Sequence, residues 1–218
     1  MLSTDYNFLF IHVPKTGGNS IQSILADYSD DEIITPYENQ DGCERFEVEH
    51  PKYCYSKHAT LEQYRRVLPS HVYEGLCKFG VLRNPWDRMV SFYFSPHRDV
   101  DEWDREEFIR LVEDVEGVRH FLRERSLYDK ISDRIGILPE VRFGSLDRDV
   151  DAILRFENLR EDFRQVCAHL GVPADDLPRR NESDKDGYVE YYDEELRKLV
   201  QSKFKDEIRY GGYRFGGD

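Results

Sequence analysis

The sequence predicts an α/β fold in one domain over residues 1–218, with a mainly parallel central sheet flanked by helices. Apolar runs predict three buried strands, each followed by a helical pattern, at residues 7–13, 77–82 and 152–156. Strands that alternate with helices are typical of a parallel sheet, in which ligands bind at the carboxyl ends of the strands. A chain of 218 residues can bury a substantial core and fits one such domain better than two.

The remaining predicted elements are two weaker strands and a series of helices. The weaker strands are at residues 32–35 and 53–56. Periodicity and capping signals predict helices at residues 18–28, 60–68, 85–95, 104–115, 118–130, 159–170 and 192–206. The acidic stretch at residues 99–107 and the polar loop at residues 181–187 are the best candidates for insertions.

The first strand leads into the sequence FLFIHVPKTGGNS at residues 8–20, which predicts a P-loop-like, phosphate-binding turn. A glycine-containing turn between a strand and a helix leaves the first N–H groups of the helix unpaired, and the helix dipole favours an anion there. Lys15 and the hydroxyls of Thr16 and Ser20 can complete such a site. The alternative is an ordinary turn between a strand and a helix, because glycine and proline occur in most of them.

The order of residues in this turn argues against a nucleotide-triphosphate loop. Lys15 precedes Gly17 and Gly18, whereas the lysine follows the glycines in the pattern G-x-x-x-x-G-K-[ST]. No strand-terminal aspartate stands in a clear magnesium-binding context. We therefore expect an anion site without a metal. A kinase-like phosphotransferase is the alternative, and dependence on magnesium would identify it.

A second junction between a strand and a helix follows residues 77–82. Asn84 and Pro85 are typical of a helix N-cap and a first helical position. Polar residues then recur at spacings of three, four and seven and predict one narrow polar stripe, formed by Asn84, Asp87, Arg88 and Ser91. Arg83 and Ser91 could contact one phosphate, although Arg83 alone could equally form a surface ion pair and Ser91 could simply be solvated. Two anion-binding junctions about seventy residues apart suit one ligand with phosphates at both ends.

Both segments resemble a known family. HVPKTGGNS at residues 12–20 resembles the 5′-phosphosulfate loop of sulfotransferases that use 3′-phosphoadenosine 5′-phosphosulfate (PAPS), and VLRNPWDRMVSFYF at residues 81–94 resembles their 3′-phosphate segment. The resemblance is greatest to carbohydrate sulfotransferases of the heparan and chondroitin type, including compact bacterial members. It is weaker at KHAT (residues 57–60), at RFENL (residues 155–159) and at residues 206–215.

The resemblance implies transfer of a sulfuryl group from PAPS, without a metal, to an acceptor hydroxyl on a carbohydrate or glycolipid. It assigns cofactor binding to Lys15, Thr16, Gly17, Gly18, Asn19, Ser20, Arg83 and Ser91. Asn19 departs from the family, in which threonine or serine is common at this position, but an amide can also hydrogen-bond an anion. A catalytically inactive nucleotide-binding module of the same fold is a further alternative.

Sulfuryl transfer needs a cation at the leaving oxygen and a base at the acceptor hydroxyl. Lys15 fits the first role. We assign the second role to His58, because histidine titrates near neutral pH and because KHAT resembles the place where relatives carry a catalytic histidine. His12 is the competing candidate, although a strand residue at its position is more often packed under the loop.

Three other charged residues are secondary candidates. Arg155 and Glu157, near the end of the third strand, could orient an acceptor or form a buried ion pair. Lys185 is a candidate for a further phosphate contact in the loop at residues 181–187.

The formal net charge of −13, from 44 acidic and 31 basic residues, argues against nucleic acid as a partner, because binding phosphates requires a basic face. The same charge favours an uncharged or weakly charged acceptor over a highly sulfated polymer. A surface that only confers solubility would explain the charge equally well.

The sequence predicts neither a membrane anchor nor a signal peptide, since no apolar run reaches eighteen residues. We expect a cytoplasmic protein, and the start at Met1 favours this over a chain from which an anchor was removed. The cysteines have neither C-x-x-C nor zinc spacing; they are Cys43, Cys54, Cys77 and Cys167. Reduced thiols are expected, with a Cys43–Cys54 bridge as the alternative.

Overall fold

In the computed structural model, the described residues are 1–34, 47–95, 98–115, 150–173, 177 and 187–217. Their strands are β1 (Leu2–Ser3), β2 (Phe8–Ile11), β3 (Glu32–Ile34), β4 (Glu47–Glu49), β5 (Cys77–Leu82) and β6 (Ala152–Arg155). Their α-helices are α1 (Gly18–Leu25), α2 (Leu61–Val67), α3 (Ser70–Gly75), α4 (Pro85–Tyr93), α5 (Arg105–Asp114), α6 (Leu159–Leu170), α7 (Glu194–Lys203) and α8 (Lys205–Gly211). Short 3₁₀ turns cover Ala26–Tyr28, Phe156–Asn158 and Tyr188–Tyr191.

The central sheet has the strand order β1-β2-β5-β6. In it β2, β5 and β6 are parallel and the two-residue β1 is antiparallel to β2, so the predicted mainly parallel sheet is confirmed. Ile11 is paired with Gly80, and Leu82 with Arg155, so the three parallel strands end at the same edge. The segments that follow these strands therefore leave the sheet close together. Strands β3 and β4 form a separate antiparallel pair.

Side chains of β2 alternate between the two faces of the sheet, as the period of a strand requires. Leu9 and Ile11 pack with buried residues of α2, α4, α5 and α7. Phe8 and Phe10 pack with buried residues of α1 and α6. Because helices cover both faces of the sheet, the carboxyl edge of the strands is the natural place for a ligand.

Most predicted elements in the described ranges are confirmed. The strands predicted at residues 77–82 and 152–156 match β5 and β6, and the helix predicted at residues 159–170 has the bounds of α6. The helix predicted at residues 192–206 is interrupted at Phe204, where α7 ends and α8 begins. The predicted helix at residues 118–130 and residues 181–186 of the polar loop lie outside the described residues. None of the described helices is long and apolar enough to cross a membrane.

The strand predicted at residues 53–56 is wrong. The Nδ1 atom of His50 accepts hydrogen bonds from the N–H groups of Lys52 (3.0 Å) and Tyr53 (3.2 Å), and these bonds turn the chain just after β4. The rings of Tyr53 and Tyr55 pack beside the imidazole of His50, with ring centroids 4.7 Å and 5.7 Å away. Local side-chain bonds thus replaced the predicted strand ladder.

Candidate active site

The turn from β2 to α1 has a left-handed backbone at two residues, Lys15 (φ 65°) and Gly17 (φ 79°). This conformation is uncommon for a residue that has a side chain. The hydroxyl of Thr16 donates a hydrogen bond to the carbonyl oxygen of Val13 (2.9 Å). The Thr16 side chain therefore holds the turn together, and a contact of its hydroxyl hydrogen with a phosphate would compete with this bond.

The atoms around Gly17 and Gly18 leave no room for a side chain at either position. A Cβ atom on Gly17 would lie 2.8 Å from the side chain of Leu159 and 3.2 Å from the ring of Phe156. A Cβ atom on Gly18 would overlap with the imidazole of His12. The turn is thus packed against the segment after β6 on one side and against His12 on the other.

We expect Gly18→Ala to lower the free energy of unfolding by about 2 kcal/mol, because the added methyl group must displace the ring of His12. Urea unfolding measures the effect. Gly75→Ala is the matched control, since a Cβ atom there meets no atom within 4 Å, and it should leave stability unchanged or raise it slightly. Equal stability of the two variants would contradict the close packing of this turn.

Asn19 and Ser20 lie in the first turn of α1. Ser20 is buried, and its N–H donates to the carbonyl oxygen of Gly17 (3.1 Å). The Oδ1 atom of Asn19 is buried and has no hydrogen-bond partner among the described residues. Rotating the amide by half a turn would put its NH₂ group at this position, as an anionic ligand requires.

Lys15 is half-buried beside a second cation. Burial, and then the nearby guanidinium of Arg83, lower the pKa of Lys15 to about 8. An anion bound between the two side chains would relieve their mutual repulsion and favour the charged form of Lys15. The pair is therefore suited to a ligand that carries negative charge.

Arg83 directly follows β5 and extends to the first junction. Its Nη1 donates to the carbonyl oxygen of Lys15 (3.1 Å), its Nε donates to Asp87 (2.6 Å), and its Cζ lies 4.1 Å from the centre of the Phe156 ring. The structure thus brings the two predicted junctions together through residues 68 positions apart. These bonds use two of the five N–H groups of a guanidinium, and the other three are on Nη1 and Nη2.

The polar stripe predicted on α4 is only partly exposed. Asn84 and Arg88 are each 3% exposed, and burial lowers the pKa of Arg88 to about 10. The amide nitrogen of Asn84 lies within hydrogen-bonding distance of the Tyr188 hydroxyl (3.1 Å) and of the carbonyl oxygens of Gly217 (3.2 Å) and Arg214 (3.3 Å). The C-terminal segment therefore covers this side of the helix.

Ser91, the second predicted contact for a 3′-phosphate, is half-buried near the end of α4. It lies about 9 Å along the helix axis from Pro85, from the rise of 1.5 Å per residue. Among the described residues, no hydrogen bond joins Ser91 to Arg83. A shared phosphate contact of these two residues stays a prediction.

His58 is exposed and lies against the β2–α1 turn. Its Nδ1 atom is 3.1 Å from the carbonyl oxygen of His12, and the centroids of the two imidazole rings are 4.5 Å apart. Because a carbonyl oxygen only accepts, Nδ1 carries the hydrogen of this bond. The neutral ring then has its lone pair on Nε2, which is the arrangement needed to accept a proton there.

The chain around His58 is fixed by the start of α2. Thr60 and Gln63 form a capping box, in which Thr60 Oγ1 accepts from the N–H of Gln63 (3.2 Å) and Gln63 Oε1 accepts from the N–H of Thr60 (2.7 Å). His12, the competing candidate, is buried and contacts both His58 and the backbone of Gly18. It is thus packed under the turn, as expected of a residue at the end of a strand.

The segment after β6 binds to the start of α4. Oε1 of Glu157 accepts from the N–H of Asn84 (2.8 Å), and Oε2 accepts from the hydroxyl of Tyr213 (3.4 Å). The guanidinium of Arg155 lies over the Tyr213 ring, 5.6 Å from its centre. Arg155 and Glu157 both belong to the described residues, and they do not form the buried ion pair that was the alternative in the sequence analysis.

Sequence reasoning missed Phe156, which lies beside both Gly17 and Arg83. The available signal was an aromatic residue directly after a strand. This strand ends at the same edge of the sheet as the junction that contains the glycines and the junction that contains Arg83. Lys185 and Cys43 lie outside the described residues, so the further phosphate contact of Lys185 stays a prediction. Cys54 and Cys77 are free thiols, as expected, and the alternative bridge from Cys43 to Cys54 is therefore not supported.

A family model described as a sulfotransferase family matches residues 1–124, more than half of the 218 residues. No curated protein and no solved structure matches the chain. The matched range contains both junctions and the segment that carries His58.

Proposed function

This chain belongs to the sulfotransferase family, and from that premise we propose that it transfers the sulfuryl group of PAPS to a hydroxyl group of a carbohydrate or glycolipid. The observation that carries the proposal is the hydrogen bond from Arg83 to the Lys15 carbonyl oxygen (3.1 Å). This bond joins the two cationic junctions in one site. A donor with phosphate groups at both ends of its nucleoside requires both junctions to lie close together.

The residues of the two junctions fit the two anionic ends of PAPS. Lys15 and the first N–H groups of α1 would hold the 5′-phosphosulfate, with Asn19 contributing its amide. Arg83 and Ser91 would hold the 3′-phosphate, through the N–H groups on Nη1 and Nη2 and through the serine hydroxyl. Burial, and then the positive charge of Arg83, lower the pKa of Lys15. A bound anion would offset the second cause, which supports this assignment.

PAPS supplies a sulfuryl group on a phosphate leaving group. In the proposed mechanism, the Lys15 ammonium stabilises the negative charge that develops on the leaving oxygen. His58 removes the proton of the acceptor hydroxyl through Nε2, while the bond from Nδ1 to the His12 carbonyl oxygen keeps the ring in the required tautomer. The surplus of acidic residues favours an acceptor with little negative charge.

A sulfation screen tests the proposal. The protein is incubated with PAPS that carries labelled sulfate, an array of glycans and glycolipids, and either magnesium or a chelator. We expect labelled acceptors and stoichiometric release of 3′-phosphoadenosine 5′-phosphate (PAP), equally with and without magnesium. Magnesium-dependent phosphorylation in a parallel incubation with ATP in place of PAPS would instead support a kinase, and tight PAP binding without any transfer would support an inactive binding module.

The assignment of the 3′-phosphate predicts that the protein binds PAP more tightly than AMP. Losing a charge-assisted bidentate contact costs about 2 kcal/mol, so we expect the preference to be roughly thirtyfold and to disappear in Arg83→Ala. Ser91→Ala should reduce the preference less than Arg83→Ala does, because it removes one hydrogen bond to the phosphate and leaves the bidentate contact in place. Calorimetry measures the two affinities. Equal affinities of the unmodified protein for PAP and AMP would refute the assignment.

A further inference from the structure

We propose that Phe156 is a positioning residue for the donor: its ring holds the Arg83 guanidinium across the two junctions, so that the guanidinium can select a 3′-phosphorylated nucleotide. This inference rests on the proposed function, and it adds a third segment of the chain to the site. The segment is the turn after β6, which the assigned binding residues do not include.

The register of the sheet explains why Phe156 lies beside Arg83. Leu82 of β5 and Arg155 of β6 are paired in adjacent parallel strands. The next residues of the two strands, Arg83 and Phe156, therefore leave the sheet side by side. In this place the Cζ atom of Arg83 lies 4.1 Å from the centre of the ring, a distance typical of a guanidinium stacked on an aromatic face.

Phe156 is itself held by its neighbours in the chain. On one side, the N–H of Arg155 donates to Asp162 (2.8 Å). On the other side, Glu157 accepts from the N–H of Asn84 (2.8 Å), which is the residue after Arg83. The ring is thus carried by a segment that is bonded to α6 through the Arg155 N–H and to the start of α4 through the Glu157 side chain.

The ring supplies a constraint that the hydrogen bonds of Arg83 do not. Asp87 at Nε and the Lys15 carbonyl oxygen at Nη1 fix two positions on the edge of the guanidinium. A group fixed only at its edge can still tilt about the line between those two bonds. Contact with the face of the Phe156 ring opposes this tilt and keeps the remaining N–H groups of Nη1 and Nη2 in one orientation.

The same ring limits the space beside the β2–α1 turn. Its Cε2 atom would be 3.2 Å from a Cβ atom on Gly17, so ring and turn are in close contact. Phe156 thus touches the turn that carries Lys15 and also the residue that binds the Lys15 carbonyl oxygen. A change of the ring should therefore alter how the two junctions act together on one nucleotide.

The test compares four variants by calorimetry with PAP and with AMP. Phe156→Leu and Phe156→Met remove the aromatic face, and Phe156→Tyr keeps it. Phe92→Leu is the matched control, because Phe92 lies under another arginine, with Arg88 Cζ 5.8 Å from its ring centre. We expect the preference for PAP over AMP to fall about fivefold in the Leu and Met variants and to persist in the Tyr and Phe92→Leu variants.

Each outcome has a separate meaning. If the unmodified protein does not prefer PAP, the proposed function fails. If it prefers PAP and the folded Phe156→Met or Phe156→Leu variant keeps the full preference, the inference is overturned while the proposed function stands. Thermal unfolding identifies a variant that does not fold. In that case the affinities of the other non-aromatic variant decide whether the inference stands. A purely structural role would lower stability without changing the ratio of the two affinities.

Discussion

Replacing Lys15 by alanine will lower kcat by about a hundredfold or more and weaken PAP binding far less. The physical reason is that the ammonium group stabilises charge that develops only in the transition state, whereas PAP is a product whose charge is already present. Initial rates at saturating PAPS measure the first effect, and calorimetry with PAP measures the second. The catalytic loss should be the larger of the two.

The control for this change is Lys198→Ala, which removes an exposed lysine paired with Glu194 on α7 and should leave kcat unchanged. The pH dependence gives a second check. The pKa of Lys15 is lowered to about 8, so its charged form is lost as the pH rises through that value. kcat/KM should therefore fall above about pH 8, and Lys15→Arg should move this fall to higher pH. If Lys15→Ala turned over at the normal rate, the turn would act in binding only and not in catalysis.

Replacing His58 by alanine will lower turnover by roughly 10²- to 10⁴-fold, the range typical of a lost general base, and leave PAP binding nearly intact. Turnover of the unmodified protein should rise with pH, because only the neutral imidazole can accept the acceptor proton at Nε2. The variant should lack this rise. The measurement is a pH profile with an acceptor from the screen, or with water as a slow substitute.

Two other histidines serve as comparisons. His71→Ala changes an exposed residue of α3 and should have no effect on the profile. His12→Ala opens a gap beneath the turn, since His12 contacts Gly18, and should lower stability but keep the rise with pH. Loss of activity and of the pH dependence in His12→Ala, with both kept in His58→Ala, would show that the base was assigned to the wrong residue.

The sheet and the meeting of the two junctions could be predicted because they depend on local patterns. Apolar runs fix β2 and β5, and the carboxyl ends of adjacent parallel strands necessarily meet at one edge. That the two junctions lie at one edge of the sheet follows from this topology, whereas the hydrogen bond from Arg83 to the Lys15 carbonyl oxygen was not predicted. The tautomer of His58 could not be predicted, because it depends on which group lies within reach of Nδ1.

At the site, what the sequence did not predict concerns contacts between residues far apart in the chain. Asn84 and Arg88 form a polar stripe by helical spacing, yet both are buried. Asn84 contacts the carbonyl oxygens of Arg214 and Gly217, and the Arg88 guanidinium lies over the ring of Phe204, 5.2 Å from its centre. Helical periodicity gives the relative position of side chains around a helix but not what packs against each side. Phe156 was overlooked although an aromatic residue at the end of β6 is visible in the sequence, because its place beside Arg83 depends on the register of β5 and β6.

The contact of Asn84 with the carbonyl oxygen of Gly217 joins residues 133 positions apart, and this separation bears on the order of folding. Contacts between distant residues form late, because the chain must first close a long loop at a cost in entropy. During synthesis, the contacts at the start of α4 cannot be completed until the region near residue 217 has left the ribosome. The same holds for the final surroundings of Arg83. The site that we propose for the donor is therefore completed late, long after both junctions have been synthesised.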